Sequence, residues 1–391
     1  MPQLQINLVY PKKAAAKIRK RKTQMINTKK FGITGIGVVS PLGSGKEINW
    51  RKLISSESQV RYDKQYDAYT AQVCGFKMQN DMRQYEMAKS AIFEALQEAD
   101  IRNSGYKKKR IGFCIGESKI NPFNRVFTFE NTLLERLKKN FRFHGTMLAV
   151  SAACATGALT ITKSCNFIES GLCDAVICGS AETSIHPLYV SAYKNMKVLA
   201  KHNPSPFDKN RDGFAIAEGA CFVIVEDIKK ALNRGAKVYC EIKGFSNGIY
   251  SNDTLSVNSH KKMKDTIKRA VDSETPDYIH MHGSGTKLND YYESIAVAEN
   301  FENADKISLS STKAATGHML GVSGMTGAVF SMLAIKNNIV PPTLNFKHTD
   351  INLGLDYTPN KAKRKIINSA LSLSFGFGGQ GAAIFFKKLQ S

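Results

Sequence analysis

Val150-Ser151-Ala152-Ala153-Cys154-Ala155-Thr156-Gly157-Ala158 sets one cysteine among small residues, directly ahead of a segment to Glu169 that carries the apolar spacing of a helix. A thiol at a helix N-terminus sits in the positive end of the helix dipole. Small neighbours let an acyl group approach its sulfur. The chain has eight cysteines, and most cysteines in a protein of this kind are inert and structural. Cys154 therefore needs partners before it can be read as a nucleophile.

Two histidines supply them. His282 ends the strand-like run Ile279-His280-Met281-His282-Gly283-Ser284-Gly285-Thr286. His318 lies in Ser311-Thr312-Lys313-Ala314-Ala315-Thr316-Gly317-His318-Met319-Leu320-Gly321. A third glycine-rich element, Ser374-Phe375-Gly376-Phe377-Gly378-Gly379, follows near the C-terminus. Loops this rich in glycine let backbone N–H groups close on a substrate carbonyl, as an oxyanion hole requires. His280 and His282 alternate on one strand, but no third ligand at suitable spacing accompanies them, so no metal site is expected.

These motifs, with Gly32-Ile33-Thr34-Gly35-Ile36-Gly37-Val38-Val39-Ser40-Pro41-Leu42-Gly43, Pro206-Phe207-Asp208-Lys209-Asn210-Arg211-Asp212-Gly213-Phe214 and Glu218-Gly219, stand in an order that resembles the elongating β-ketoacyl-acyl carrier protein synthases. These belong to the condensing-enzyme, thiolase-fold family, and the resemblance spans roughly Phe31 to Leu389. It implies an acyltransferase that performs a decarboxylative Claisen condensation: Cys154 takes an acyl chain from a carrier protein, and malonyl-carrier protein extends it by two carbons. Fatty-acid-type elongation is the leading expectation. A ketosynthase of a specialised polyene or polyketide pathway, working with a non-catalytic chain-length subunit, is the alternative.

The same resemblance assigns roles. Cys154 and Phe377 give the backbone N–H groups of the oxyanion hole, and Phe377 gates the acyl pocket. His282 and His318 donate hydrogen bonds to the malonyl thioester carbonyl as neutral imidazoles. Lys313, paired with Glu293, sets the local charge. Ser284, standing where the family more often has threonine, and Thr286 hold the pantetheine arm. Three related classes fit less well. A thiolase would need a second cysteine near its C-terminus, and none follows Cys240. A priming ketosynthase would have asparagine at position 318, and a chain-length subunit would lack the nucleophile.

The fold expected is α/β and thiolase-like: two duplicated mixed-sheet halves stacked as a layered αβαβα body, residues 31–230 and 231–391. Ala153 to Glu169 is echoed by Val322 to Lys336, and Ala217 to Val225 by Gly378 to Phe386, each glycine turn feeding a buried strand. A dimer is expected through Ala175 to Ser180, beside the cysteine helix, either a homodimer or a heterodimer with a ketosynthase-like subunit. Ser251 to Leu255 lacks the family's threonine-proline pattern, which bears on pantetheine contacts.

Net charge is +22. Nine of the lysines and arginines fall in residues 1–30, which hold no acidic residue. This stretch is expected to be a basic disordered extension or the product of a start site that belongs at Met25. The excess of thirteen that remains suits an acidic acyl carrier protein, with Lys197 and Lys201 as docking residues. No nucleic-acid motif is present, and no apolar run is long enough to span a membrane. Eight scattered cysteines indicate a reducing, cytoplasmic setting. No cofactor is expected beyond the phosphopantetheine that carries the substrates.

Overall fold

The computed structural model describes residues 29–77, 81–119, 132–249 and 260–389. Of the basic extension, only Lys29 and Lys30 fall inside these ranges, and Ser251 to Leu255 falls outside them.

Ten strands form the spine. The first half contributes β1 (Phe31–Ser40), β2 (Ile111–Gly116), β3 (Met147–Val150), β4 (Ala175–Glu182) and β5 (Gly219–Asp227). The second half contributes β6 (Glu241–Ile249), β7 (Tyr278–His280), β8 (Ser308–Ser310), β9 (Ser369–Phe375) and β10 (Gln380–Lys387). They run in the order β8-β7-β9-β10-β6-β1-β5-β4-β2-β3. Numbered within its own half, each set of five reads 3-2-4-5-1 from its outer edge. The pairing matches too: β2 is parallel to β3 and β4, with β4–β5 and β5–β1 antiparallel. Likewise β7 is parallel to β8 and β9, with β9–β10 and β10–β6 antiparallel. The duplication expected from the glycine-turn echoes is thus a duplication of topology, and the halves join edge to edge through Phe31↔Ile242 and Gly32↔Glu241.

Helices cover the sheet. The helix α1 (Asp81–Glu98) packs on β1 and β5. Two others, α2 (Thr156–Glu169) and α3 (Pro187–Asn195), follow β3 and β4. In the second half, α4 (His260–Val271) lies on β6 and β10, α5 (Lys287–Ala298) and α6 (Lys313–Thr316) follow β7 and β8, and α7 (Ser323–Asn337) lies on β9. Buried residues run without a break from Ser323 to Ile335 in α7, as expected of a helix enclosed on every side. It shares the middle layer with α2, and the two meet backbone to backbone. A Cβ on Gly157 would lie 2.7 Å from the Met325 nitrogen, and one on Gly324 would lie 3.0 Å from the Ala158 nitrogen.

One expectation is corrected. Ala175 to Ser180 is no edge: β4 is paired along its length with β2 on one side and β5 on the other. The outer strand of the first half is β3, which among the described residues pairs with β2 alone and whose residues are half-buried or exposed. An open row of backbone N–H and C=O groups beside the cysteine turn therefore belongs to Met147–Val150.

Two further contacts fix the ends of layers. The Lys29 ammonium donates to the Ile168 and Glu169 carbonyls at 2.5 and 3.3 Å, a cation placed at the negative end of α2. On the other face, Gly35 and Gly37 of β1 leave room for Ala95 and Ala91 of α1, so that a Cβ at Gly37 would fall inside the Ala91 carbonyl oxygen. Because that obstacle is backbone, Gly37→Ala must move the helix. A loss of about 2 kcal/mol or more is expected, read as a lower urea midpoint at unchanged slope.

Candidate active site

The turn that carries Cys154 is built by local hydrogen bonds. After β3 the chain enters a single 3₁₀ turn, Ala153–Ala155, and continues as α2. The Ala152 N–H donates to Thr156 Oγ1 at 2.8 Å, and that hydroxyl donates to the Ala153 carbonyl at 2.7 Å. Ala153 has φ of +47°, a left-handed conformation that costs on the order of 1 kcal/mol for alanine. The bend lifts Cys154 out of line between strand and helix. From the second half, Ser374 Oγ donates to the Cys154 carbonyl at 2.8 Å. A Cβ on Gly376 would lie 2.9 Å from the Cys154 nitrogen. Only a glycine lets the Phe375–Phe377 segment lie this close.

Cys154 is 3% exposed. Burial pushes its thiol up to about 11, against the pull of Lys313, the Phe377 N–H and Lys119. The dipole argument that favoured a thiolate is therefore outweighed: the sulfur rests as a thiol, because desolvation of the anion is the larger effect.

His282 and His318 face each other across 5.5 Å between ring centroids, at 75°. Burial holds both imidazoles well below the ordinary histidine range, assisted by the Lys313 charge. Both are neutral. The tautomer of His318 follows from its neighbours. Its Nδ1 accepts from the Leu320 N–H at 3.1 Å and lies 2.9 Å from Ser323 Oγ, so the proton resides on Nε2 and is free to be donated. Phe214 packs edge-on against the same ring at 4.7 Å.

Glu293 serves the other imidazole. Its two carboxylate oxygens accept from the His282 N–H at 2.5 Å and the Gly283 N–H at 2.8 Å, which fixes the turn that aims the ring. The expected Lys313–Glu293 ion pair is corrected by this geometry. The Lys313 ammonium donates to the His282 carbonyl, Glu293 holds the amide on the other side of the same residue, and no ion pair joins them among the described residues. Burial drives Glu293 up and Lys313 down, each opposed by the charge of the other, and the two hold His282 from opposite sides of its backbone.

The remaining expected residues lie along one cleft of about 420 Å³ lined by Cys154, His282, His318, Ser284, Thr286 and Phe377 with Met196, Lys197 and Phe214. Ser284 Oγ and Thr286 Oγ1 are 2.9 Å apart, at the start of α5. The Phe377 ring lies 6.4 Å from that of Tyr193, tilted by 30°. Lys197 lies at the mouth in a left-handed turn, and Lys201 is exposed nearby, its N–H donating to Asp212 at 3.2 Å. Sequence reasoning missed Asp290, which lies one turn before Glu293 on α5. Its carboxylate accepts from the Phe207 N–H at 2.9 Å and the Gly285 N–H at 3.2 Å, joining the Pro206–Phe214 loop to the His282 turn. The three-residue spacing Asp290/Glu293 on a helix was the available signal.

His280 takes a different place from the one the strand alternation suggested. Its Nε2 lies 3.1 Å from Thr312 Oγ1 and its ring is against Phe330 of α7, so it supports α6 and leaves the cleft to His282. Cys154, His282 and His318 do bring three metal-type donor atoms within 4.8 Å of one another, the third ligand that sequence spacing could not supply. The adjoining Lys313 charge, which already disfavours protonation of both rings, opposes a dication there as well.

Comparison with known proteins agrees with this geometry. Sequence models described as the N-terminal and C-terminal domains of beta-ketoacyl synthase match residues 75–231 and 239–347. The chain is 32% identical to a putative mitochondrial 3-oxoacyl-[acyl-carrier-protein] synthase of Schizosaccharomyces pombe, over 92% of this chain and 99% of that one. It is 30% identical to 3-oxoacyl-[acyl-carrier-protein] synthase 2 of Coxiella burnetii, over 91% and 98%. A type II PKS ketosynthase solved with its acyl-carrier protein superimposes with a TM-score of 0.86 at 25% identity, covering 93% of this chain and all of that one. With its Cys154 turn, its two neutral imidazoles and its glycine-backed cleft in one thiolase-like body, the chain belongs to the β-ketoacyl synthase family.

Proposed function

We propose that Cys154 carries an acyl chain through a decarboxylative condensation of the fatty-acid-elongation type, and that the paired neutral imidazoles of His282 and His318 make the carbon nucleophile. The observation that carries this is the His318 tautomer: with Nδ1 occupied by the Leu320 N–H, Nε2–H has no role left except to donate into the cleft beside the sulfur.

In the first half-reaction, an acyl thioester enters past Ser284 and Thr286, and the Cys154 sulfur attacks its carbonyl. The N–H groups of Cys154 and Phe377 hold the oxyanion. The carbon–sulfur bond to pantetheine breaks, and the thiol proton of Cys154 passes to the departing pantetheine sulfur, so no net charge is left in a dry site. In the second, malonyl-carrier protein binds with its thioester carbonyl between the two imidazole N–H donors. Carbon dioxide leaves, the electron pair of the broken C–C bond becomes the enolate, and its carbon attacks the Cys154 thioester. The C–C bond forms, the C–S bond breaks, and the Cys154 thiolate takes a proton from water. Neutral donors suit this step because cationic ones would hold the malonyl carboxylate and resist its loss.

The partner is an acidic acyl carrier protein, drawn by the chain's net charge of +22 to the mouth where Lys197 and Lys201 stand. The oligomer is a dimer built on the open edge of β3, homotypic in the elongation reading. A heterodimer with a chain-length subunit, serving a specialised polyene or polyketide pathway, is the second reading, favoured by the likeness to the type II PKS ketosynthase. Phosphopantetheine is the only prosthetic arm required, and it arrives on the carrier. All eight cysteines are free, which suits a reducing, cytoplasmic compartment. Among the described residues, no helix is long and apolar enough to cross a membrane.

Mass spectrometry after incubation with acyl- and then malonyl-carrier protein separates the half-reactions. Cys154→Ala is expected to accept no acyl group. His282→Ala and His318→Ala are each expected to acylate normally and to lose about 10²–10³ in condensation rate; equal loss of both half-reactions would remove the enolate role. The raised thiol gives a second expectation. The rate of Cys154 alkylation by iodoacetamide climbs with pH beyond 9, towards a midpoint of about 11. Lys313→Ala, which removes a nearby positive charge, slows it at pH 8 by about three- to tenfold. A plateau below pH 9 would contradict the burial effect.

A further inference from the structure

The turn that delivers Cys154 has a charged pair for a neighbour. Lys119 Nζ sits 2.8 Å from Glu182 Oε2, with the two side chains 15% and 2% exposed. Its ammonium also lies 5.1 Å from the centre of the Tyr189 ring. Glu182 ends β4, and its other oxygen accepts from the Ser118 N–H at 2.7 Å. This pair is tied to the reacting centre from three directions. The Glu117–Lys119 segment runs beside the strand that delivers Cys154, with the Glu117 N–H on the Val150 carbonyl at 3.1 Å and Ser151 Oγ on the Ser118 carbonyl at 3.5 Å. Gly321 has no space for a side chain because Glu182 Oε1 would be 2.5 Å from its Cβ, and the neighbouring Leu320 N–H is the one that orients His318. Tyr189 and Tyr193 stand one turn apart on the same face of α3, the first under Lys119, the second against Phe377 and, at 5.8 Å, Phe214.

Lys119 has three N–H donors. Among the described residues it uses one on Glu182 and one, at 3.4 Å, on Ser118 Oγ, so a third is left without an acceptor. An alkyl chain laid beside it would strip water from a buried ion pair and offer nothing in return, whereas a chain with an oxygen there would take up the spare donor. The charge of Lys119 reaches both Cys154 and His318. We propose that Lys119, held by Glu182 against Tyr189, is a specificity-determining residue for the acyl group on Cys154, selecting chains with a keto or hydroxyl oxygen close to the thioester over saturated alkyl chains. The inference rests on the acyl-transfer reading above and names its substrate class.

The test is a competition between hexanoyl- and 3-oxohexanoyl-carrier protein, two acyl groups of one length, read as the ratio of acyl-Cys154 masses. Acetyl-carrier protein serves as a control for a folded, active site. Wild type is expected to favour the 3-oxo chain by about tenfold or more. Lys119→Met alone leaves Glu182 unpaired and could unfold the turn, so Lys119→Met/Glu182→Gln is measured beside it, with melting temperature as a check. In the folded double variant the ratio falls to near one or inverts while acetyl transfer persists. A ratio that is the same in wild type and double variant, or a wild-type preference for hexanoyl, overturns the selection while leaving acyl transfer intact. Failure of all three thioesters to label wild-type Cys154 overturns the acyl-transfer reading itself, and the inference with it.

Discussion

The close crossing of α2 and α7 is the contact on which the site depends. Gly157 and Gly324 allow these helices to meet at backbone distance, and each begins at a functional turn: Cys154 just before α2, His318 five residues before α7. Side chains at the crossing would part the halves by more than the reach of a hydrogen bond, and the sulfur and the imidazoles would no longer share a cavity. The glycines at this crossing thus permit the approach that brings Cys154 and the two histidines together. The packing density of protein interiors leaves no slack for a substitution to be absorbed.

The site around this crossing is governed by desolvation. Cys154, His282 and His318 are each enclosed, and for all three burial outweighs every nearby charge in setting the protonation state. The outcome is an uncharged thiol facing two uncharged rings. The Lys119–Glu182 ion pair stands beside the turn that carries Cys154.

The dependence between halves also explains why Glu293 and Lys313 act without touching. Glu293 grips the His282 amide and Lys313 grips its carbonyl, so one peptide segment is held from both sides. Asp290 repeats the device one helical turn earlier, joining the Phe207 loop to the Gly285 turn. Carboxylates buried among backbone N–H groups make rigid turns because leaving those donors unpaired would cost about 1–3 kcal/mol each.

The order of motifs along the chain pointed to the family, to Cys154 and both histidines as one site, and to the internal repeat, because these depend on residue type and on local patterns of glycine turn, strand and helix. The identical 3-2-4-5-1 order of the halves was foreshadowed by Ala217 to Val225 and Gly378 to Phe386, which became β5 and β10. What only the tertiary structure decided were relations between distant segments. Strand order moved the open edge from Ala175–Ser180 to Met147–Val150. Enclosure reversed the expected ionisation of Cys154, since a helix dipole is visible in sequence and desolvation is not. The Lys313–Glu293 pair dissolved into two sets of hydrogen bonds to one peptide segment, and Lys119, unremarked in the sequence, came to lie beside the strand that leads to Cys154. Local propensity is written residue by residue. Burial, electrostatics and pairing are sums over the whole fold, and they exist only once it has closed.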